Sequence, residues 1–146
     1  MEKTMPHNID AEKSVLGSMF LSKYATQKAL ESLNKDLFYL DANQKIFEAI
    51  KTLREKLISI DMTTVTEELE NKKQLKQIGG IEYLTEIINF VPTAANIDEY
   101  IRIVEEKAIL RRLIEEATEI VSSGYNQEED ISEVLDNAEK KILNVV

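Results

Sequence analysis

The sequence predicts an all-α protein: a globular multi-helix head followed by a long antiparallel helical hairpin. Three observations lead there. The chain of 146 residues has only four glycines and two prolines, and it is rich in Glu, Lys, Leu, Ile and Ala, a composition that favours helices. Apolar residues recur at spacings of three and four through most of the chain. Near residue 97 the pattern changes from short helices to one long unbroken run with a partner after it. The expected division is a head over residues 1–95 and a hairpin over 96–146.

Met1–His7 reads as an arm. Asn8 is placed to cap the first helix, with Asp10 and Glu12 favourable in its first turn. Ile9, Val15, Leu16, Met19 and Phe20 form its apolar face. Gly17 costs about 1 kcal/mol against alanine in mid-helix, so it marks a close helix crossing. Lys23–Leu33 is a second helix, with Ala29, Leu30 and Leu33 inward. Asp36–Tyr39 is a turn that buries aromatics. Asp41, with Gln44 as its box partner, is expected to cap the third helix, whose face is Ile46, Ile50, Leu53 and Leu57. Asp61 caps the fourth helix, which carries Val65 and Leu69 and stops in the polar run Asn71–Gln74. Gly79-Gly80 opens the fifth helix, with Leu84, Ile87, Ile88 and Val91 apolar, and Pro92 is expected to end it. No Lys-Ser or Lys-Thr follows the double glycine, so it is a tight turn and not a nucleotide loop.

Asn96 with Glu99 reads as the start of the sixth helix, which runs to about Ser123 and is expected to end at Gly124. At about 1.5 Å per residue it is roughly 40 Å long. Asp98 and Arg102 form a favourable pair, and Arg111 and Arg112 can meet Glu115 and Glu116. Its apolar residues exceed one face: Ile97, Ile101, Val104 and Ala108 form one stripe and Leu110, Leu113, Ala117 and Ile120 another, with Ile103, Ile109, Ile114 and Val121 beside them. Asp130 with Glu133 is expected to cap the last helix, whose Ile131, Leu135, Ala138, Ile142 and Val145 make a seam for the sixth helix. The sixth helix would still expose apolar surface, which points to self-association.

Charge and composition exclude several functions. The formal net charge is −9, which opposes nonspecific phosphate binding. Residues 97–146 carry 13 acidic and 6 basic side chains, net −7, against net −2 for residues 1–96, so the hairpin suits a basic partner. There is no cysteine and a single histidine, His7. Thiolate metal sites, disulfides and a Cys–His dyad are therefore excluded, and a reducing cytoplasm is expected. No secretory leader or apolar run of membrane-spanning length is visible, so no membrane partner is expected. No P-loop, H-E-x-x-H, G-x-S-x-G or paired E-x-x-H motif occurs. No catalytic, cofactor or metal residue is assigned. Two alternatives stay in view: a single-stranded DNA-binding module and a stand-alone helical adaptor. The missing basic stripe weighs against the first.

The ordered fragments carry a resemblance. They are Pro6, Ile9-Asp10-Ala11-Glu12, Ser14-Val15-Leu16-Gly17, Asp36–Tyr39, Asn43–Ile50, Ile60-Asp61 with Thr64-Val65, Ile78-Gly79-Gly80, Tyr83-Leu84, Pro92–Asn96, and Ile103–Ile114. In this order and spacing the sequence resembles the N-terminal domain of the bacterial replicative DNA helicase, the DnaB family. The resemblance implies a fragment of a longer helicase, whose ATPase domain, with ATP and Mg, lies beyond Val146. It implies that hairpins pair into dimers, that three dimers form the collar of a hexamer, and that the collar receives the C-terminal domain of primase. A helicase loader is a further candidate partner, and DNA is engaged through the full-length ring. By matching positions, the implied contact residues are Tyr83 at the head–hairpin junction and Arg111, Arg112, Ile114 and Ile120 on the sixth helix. The residues themselves admit another reading: core packing for Ile114 and Ile120, a satisfied head hydroxyl for Tyr83, and surface pairing with Glu115 and Glu116 for the arginines.

Overall fold

The computed structural model describes residues 4–127 and 129–146. The described residues are helical throughout, with seven α-helices: α1 Ile9–Leu21, α2 Lys23–Ser32, α3 Asp41–Glu55, α4 Met62–Asn71, α5 Gly80–Ile88, α6 Ile97–Asn126 and α7 Ile131–Leu143; a single 3-10 turn covers Lys35–Leu37. They fall into two compact units. One is His7–Glu105; the other joins the described residues of Met1–Pro6 to Glu106–Val146.

In the head unit, α1 packs against α2, α3 and α5, and α3 packs against α4. Val15, Leu16, Ile46, Phe47, Ile50, Val65, Leu69, Leu84 and Ile87 are fully buried, and Ile97, Ile101 and Val104 from the first turns of α6 join the same core. Several local signals act as the sequence indicates. The Asn8 side chain accepts from the Ala11 amide at 2.9 Å. Asp61 accepts from the Thr64 amide while the Thr64 hydroxyl accepts from the Asp61 amide, a complete capping box. Gly17 is a close crossing: a Cβ there would lie 2.6 Å from the Ile87 carbonyl oxygen of α5.

Other ends are set differently. Asp41 does not cap α3; it is the first helical residue and pairs with Lys45, while Gln44 donates to the Phe38 carbonyl. The helix has no side-chain cap bond; Glu12, 29 positions before Asp41, instead accepts from the Tyr39 and Leu40 amides just ahead of it. Ser22, not singled out from the sequence, caps α2 by accepting from Ala25. Helix α5 stops at Ile88, before Pro92, because its last turn tightens, with the Phe90 amide donating to Ile87 at 3.1 Å. Gly124 lies inside α6, and the left-handed residue that follows this helix is Gln127, at φ 55°. Asp130 precedes α7 but its side chain makes no cap bond. The arm is not free at its end, since His7 stacks on Tyr39 with ring centroids 4.3 Å apart.

In the second unit, α7 runs antiparallel to the distal part of α6. Arg112 Nη1 donates to the Val145 carbonyl at 3.2 Å, and one helical stretch further on Lys141 Nζ reaches Glu119 at 2.6 Å. Pro6 belongs here too, its carbonyl accepting from Arg111 Nη1 at 2.8 Å. The expected seam is only half used. Val145 is buried and Ala138 half-buried, but Ile131, Leu135 and Ile142 are 78%, 62% and 47% exposed.

The Gly17 crossing is testable. Gly17→Ala should improve intrinsic helix propensity yet destabilise the head by about 1–3 kcal/mol, because the methyl meets backbone that cannot rotate away. Urea unfolding followed by circular dichroism measures this. A midpoint equal to or above that of the wild type would contradict the close approach.

Candidate functional site

Two features of the structure exceed what folding a small helical core requires. The first is a buried polar network in the head. Glu12 projects from the same side of α1 as Val15, Leu16 and Met19, and only 2% of it is exposed. Its carboxylate accepts from the Tyr39 amide at 2.7 Å, the Leu40 amide at 3.3 Å and Asn43 Nδ2 at 2.9 Å. These donors lie at the N-terminal end of α3, where unpaired amides and the helix dipole favour an anion. Asn43, fully buried, then accepts from the Tyr83 hydroxyl at 2.6 Å through Oδ1. One chain of hydrogen bonds thus links α1, α3 and α5.

Tyr83 is half-buried, and burial pushes its pKa from 10.0 to about 12; the Glu86 and Glu12 carboxylates add to the rise, while the Asn43 hydrogen bond opposes it. Lys13 stands 5.7 Å from the Tyr83 ring centroid and 5.4 Å from that of Phe90, and it pairs with Glu86. The glycines before α5 serve this packing. Gly79 has φ 105°, and a Cβ there would lie 3.1 Å from Tyr83 Cβ. Gly79 is thus required by the packing of Tyr83, whereas Gly80, at φ 73°, faces open space and is there for its backbone angle.

The second feature is the apolar surface of the hairpin. Leu110, Leu113, Ile114 and Val121 on α6 are between 40% and 57% exposed, and Tyr125 is 83% exposed. Their spacing places them on one stripe. In this unit only Ala108, Arg111 and Val145 are buried among the described residues. So large an unburied apolar area is the mark of a surface that meets a partner.

The residues singled out by resemblance are distributed between the two units. Tyr83 belongs to the head and forms the end of its polar network. On α6, Arg111 is 9% exposed and holds the Pro6 carbonyl, and Arg112 holds the Val145 carbonyl. Ile114 is 41% exposed on the outer stripe, whereas Ile120 is half-buried. Sequence reasoning missed Glu12 and Asn43. The signal was present: Glu12 precedes Val15, Leu16 and Met19 at spacings of three, four and seven, on the apolar side of its helix. Among the described residues, no group of three His, Asp or Glu side chains is placed to hold a metal ion.

Fold and surfaces together define an all-helical module: a head whose apolar core holds a buried polar network, and an acidic hairpin with an exposed apolar stripe. Comparison with known proteins gives the particular family. A model described as the DnaB-like helicase N terminal domain matches residues 4–106, and the chain belongs to that family. It is 48% identical over 144 residues to the replicative DNA helicase DnaC of Bacillus subtilis, and 46% identical over 144 residues to the replicative DNA helicase DnaB of Geobacillus stearothermophilus. Each match covers 99% of this chain and 32% of the relative, so the chain spans about a third of the length of these curated relatives. The crystal structure of the N-terminal domain of DnaB helicase from Mycobacterium tuberculosis superimposes with a TM-score of 0.91 at 43% identity, covering 98% of this chain and all of that one. A DnaB-like replicative helicase, described with its interactions with primase, shares the fold at a TM-score of 0.76 and 23% identity, covering 95% of this chain and 32% of that one.

The raised Tyr83 pKa has a definite consequence. The folded state holds its proton more tightly than the unfolded state, so the contribution to stability is complete below pH 10 and is lost as pH rises from 10 towards 12. Tyr83→Phe should remove that alkaline decline. At neutral pH it should cost about 1–2 kcal/mol, because buried Asn43 Oδ1 loses its donor. Chemical unfolding at a series of pH values checks both. An alkaline slope unchanged in the variant would contradict the assignment.

Proposed function

We propose that this chain is the N-terminal collar domain of a hexameric replicative DNA helicase of the cytoplasm, and that it serves ring assembly and primase docking without catalysis of its own. The observation that carries this reading is the exposed apolar stripe of the hairpin, on a chain of this family. The head (1–95) supplies a rigid body and the hairpin (96–146) the contact surface. Hairpins of two copies cover one another's stripes, and three such dimers close the collar. The primase C-terminal domain then docks on the hairpin, with Tyr83 of the head as a further contact. ATP and Mg belong to the ATPase part of the parent helicase, and DNA passes through the full ring.

We assign the five proposed contact residues different roles. Ile114 offers its side chain outward and is assigned direct contact. Ile120, half-buried, sits under the contact surface and shapes it. Arg111 and Arg112 clamp the Pro6 and Val145 carbonyls, so they fix the ends of the chain against α6 and add positive charge to an otherwise acidic hairpin. Tyr83 spends its hydroxyl on Asn43. Charge supports protein partners over nucleic acid, since a net charge of −9 repels phosphates.

Light scattering on a sizing column, with and without the primase C-terminal domain, tests the reading. We expect a dimer or larger assembly alone and a heavier species with primase. Ile114→Asp removes a contact of about 1.5–3 kcal/mol and adds a desolvation cost. It should therefore weaken association by at least roughly tenfold while leaving the unfolding midpoint of the head unchanged. A monomer that ignores primase, or an Ile114→Asp variant that assembles and binds as wild type, would overturn it.

A further inference from the structure

The head carries a groove that neither its own folding nor the hairpin explains. The corner between α1 and α2 and the C-terminal end of α3 enclose about 570 Å³, walled by Phe20, Leu21, Lys23, Arg54, Leu57 and Ile58 among others. A second hollow shares Leu21 and Ser22 and runs past Tyr24 to the Pro92–Ala95 loop. Leu21, Tyr24 and Ile58 are 48%, 55% and 42% exposed.

Two independent anomalies meet here. The first is Leu57. Helix α3 closes with the Ile58 amide donating to Leu53 at 2.9 Å and the Leu57 amide donating to Arg54 at 3.1 Å. This closure puts the residue after the helix in the left-handed region, where glycine is at home. Leu57 occupies it with φ 60° and is 91% exposed. The same closure after α4 is made by the polar Lys73, at φ 59°; what sets Leu57 apart is a large apolar side chain, strained by about 1 kcal/mol, that buries almost nothing in return. The second is charge. Arg54 is half-buried, yet neither its guanidinium nor the Lys23 ammonium has a hydrogen-bond or ion-pair partner among the described residues, and no carboxylate lines the first hollow; Asp98 lines the second. Two unpaired cations beside a rim of large apolar side chains complement one chemistry: carboxylates flanking an apolar anchor.

We propose that this groove docks an acidic segment of a partner protein, with a large apolar side chain seated between Leu21 and Leu57 and carboxylates meeting Arg54 and Lys23. Arg54 would bind its carboxylate through the two-pronged guanidinium geometry. The overall charge of −9 does not forbid this, because charges further away than about 8 Å are screened at physiological salt.

The test titrates the isotope-labelled protein at about 0.15 M salt with two short peptides and follows amide shifts by NMR. One peptide carries Asp and Glu around Leu and Phe anchors; the other has Lys in place of each acid. We expect saturable shifts at residues 20–26 and 53–60 with the acidic peptide only. Arg54→Glu should weaken binding at least roughly tenfold. Leu57→Gly should weaken it comparably while keeping or raising the unfolding midpoint, since glycine relieves the strain. That combination separates a docking role from a structural one. Shifts with neither peptide, equal shifts with both, shifts elsewhere, or binding indifferent to both substitutions would overturn the proposal. So would groove amides that already move on simple dilution, which would make a second copy the occupant.

Discussion

The head depends on one buried carboxylate. Glu12 sits on the apolar side of α1, where an unpaired charge would cost several kcal/mol. It is tolerable only because two backbone amides and the Asn43 side chain converge on it. Meeting that demand fixes much else. The turn before α3 must present the Tyr39 and Leu40 amides inward, which leaves α3 no need of a local cap. Asn43, committed to Glu12 through its amide nitrogen, has an oxygen free for Tyr83, and this ties α5 to α3. Gly17 completes the frame by letting α1 and α5 approach within backbone contact. Apolar packing supplies the driving force, but these directional contacts allow only one way of arranging the three helices.

The hairpin unit has no comparable interior. Where the head buries a continuous set of side chains, the distal part of α6 and α7 leave most of their large apolar residues in solvent and are held together by Arg112 on Val145, Lys141 on Glu119 and a thin line of contacts. Salt bridges at such exposure contribute little. The two units therefore differ in kind: one is closed upon itself, and the other leaves most of its large apolar side chains uncovered. The chain spans about a third of the length of its curated relatives.

Much of this was legible in the sequence because the signals are local. The caps at Asn8 and Asp61 bond residues three positions away, and the Gly17 crossing shows as a glycine in an otherwise uninterrupted apolar face. What was not legible depends on distance in the chain. Asp41 looks like a cap for α3, but the carboxylate that holds the turn ahead of the helix comes from α1, and no window around Asp41 contains it. Gly124 looks like a helix stop, yet the left-handed turn falls at Gln127, since a stop is fixed by where the chain must next go. The seam of α7 was readable as apolar, but not that Ile131 and Leu135 would stay in solvent, because periodicity gives a face and not how closely α6 lies against it. Leu57 was read as part of the α3 face; only its backbone angle reveals that it points away.

Amide hydrogen exchange at rising protein concentration tests the contrast between the two units most directly. The amides of Tyr39, Leu40 and Asn43 should be protected to the limit of global unfolding at every concentration. Amides over 110–121 and 131–142 should exchange quickly in dilute solution and gain protection as the concentration rises. Equal protection of both units in dilute solution would mean that the hairpin is stable alone, and would contradict the view that its exposed stripe awaits a second chain.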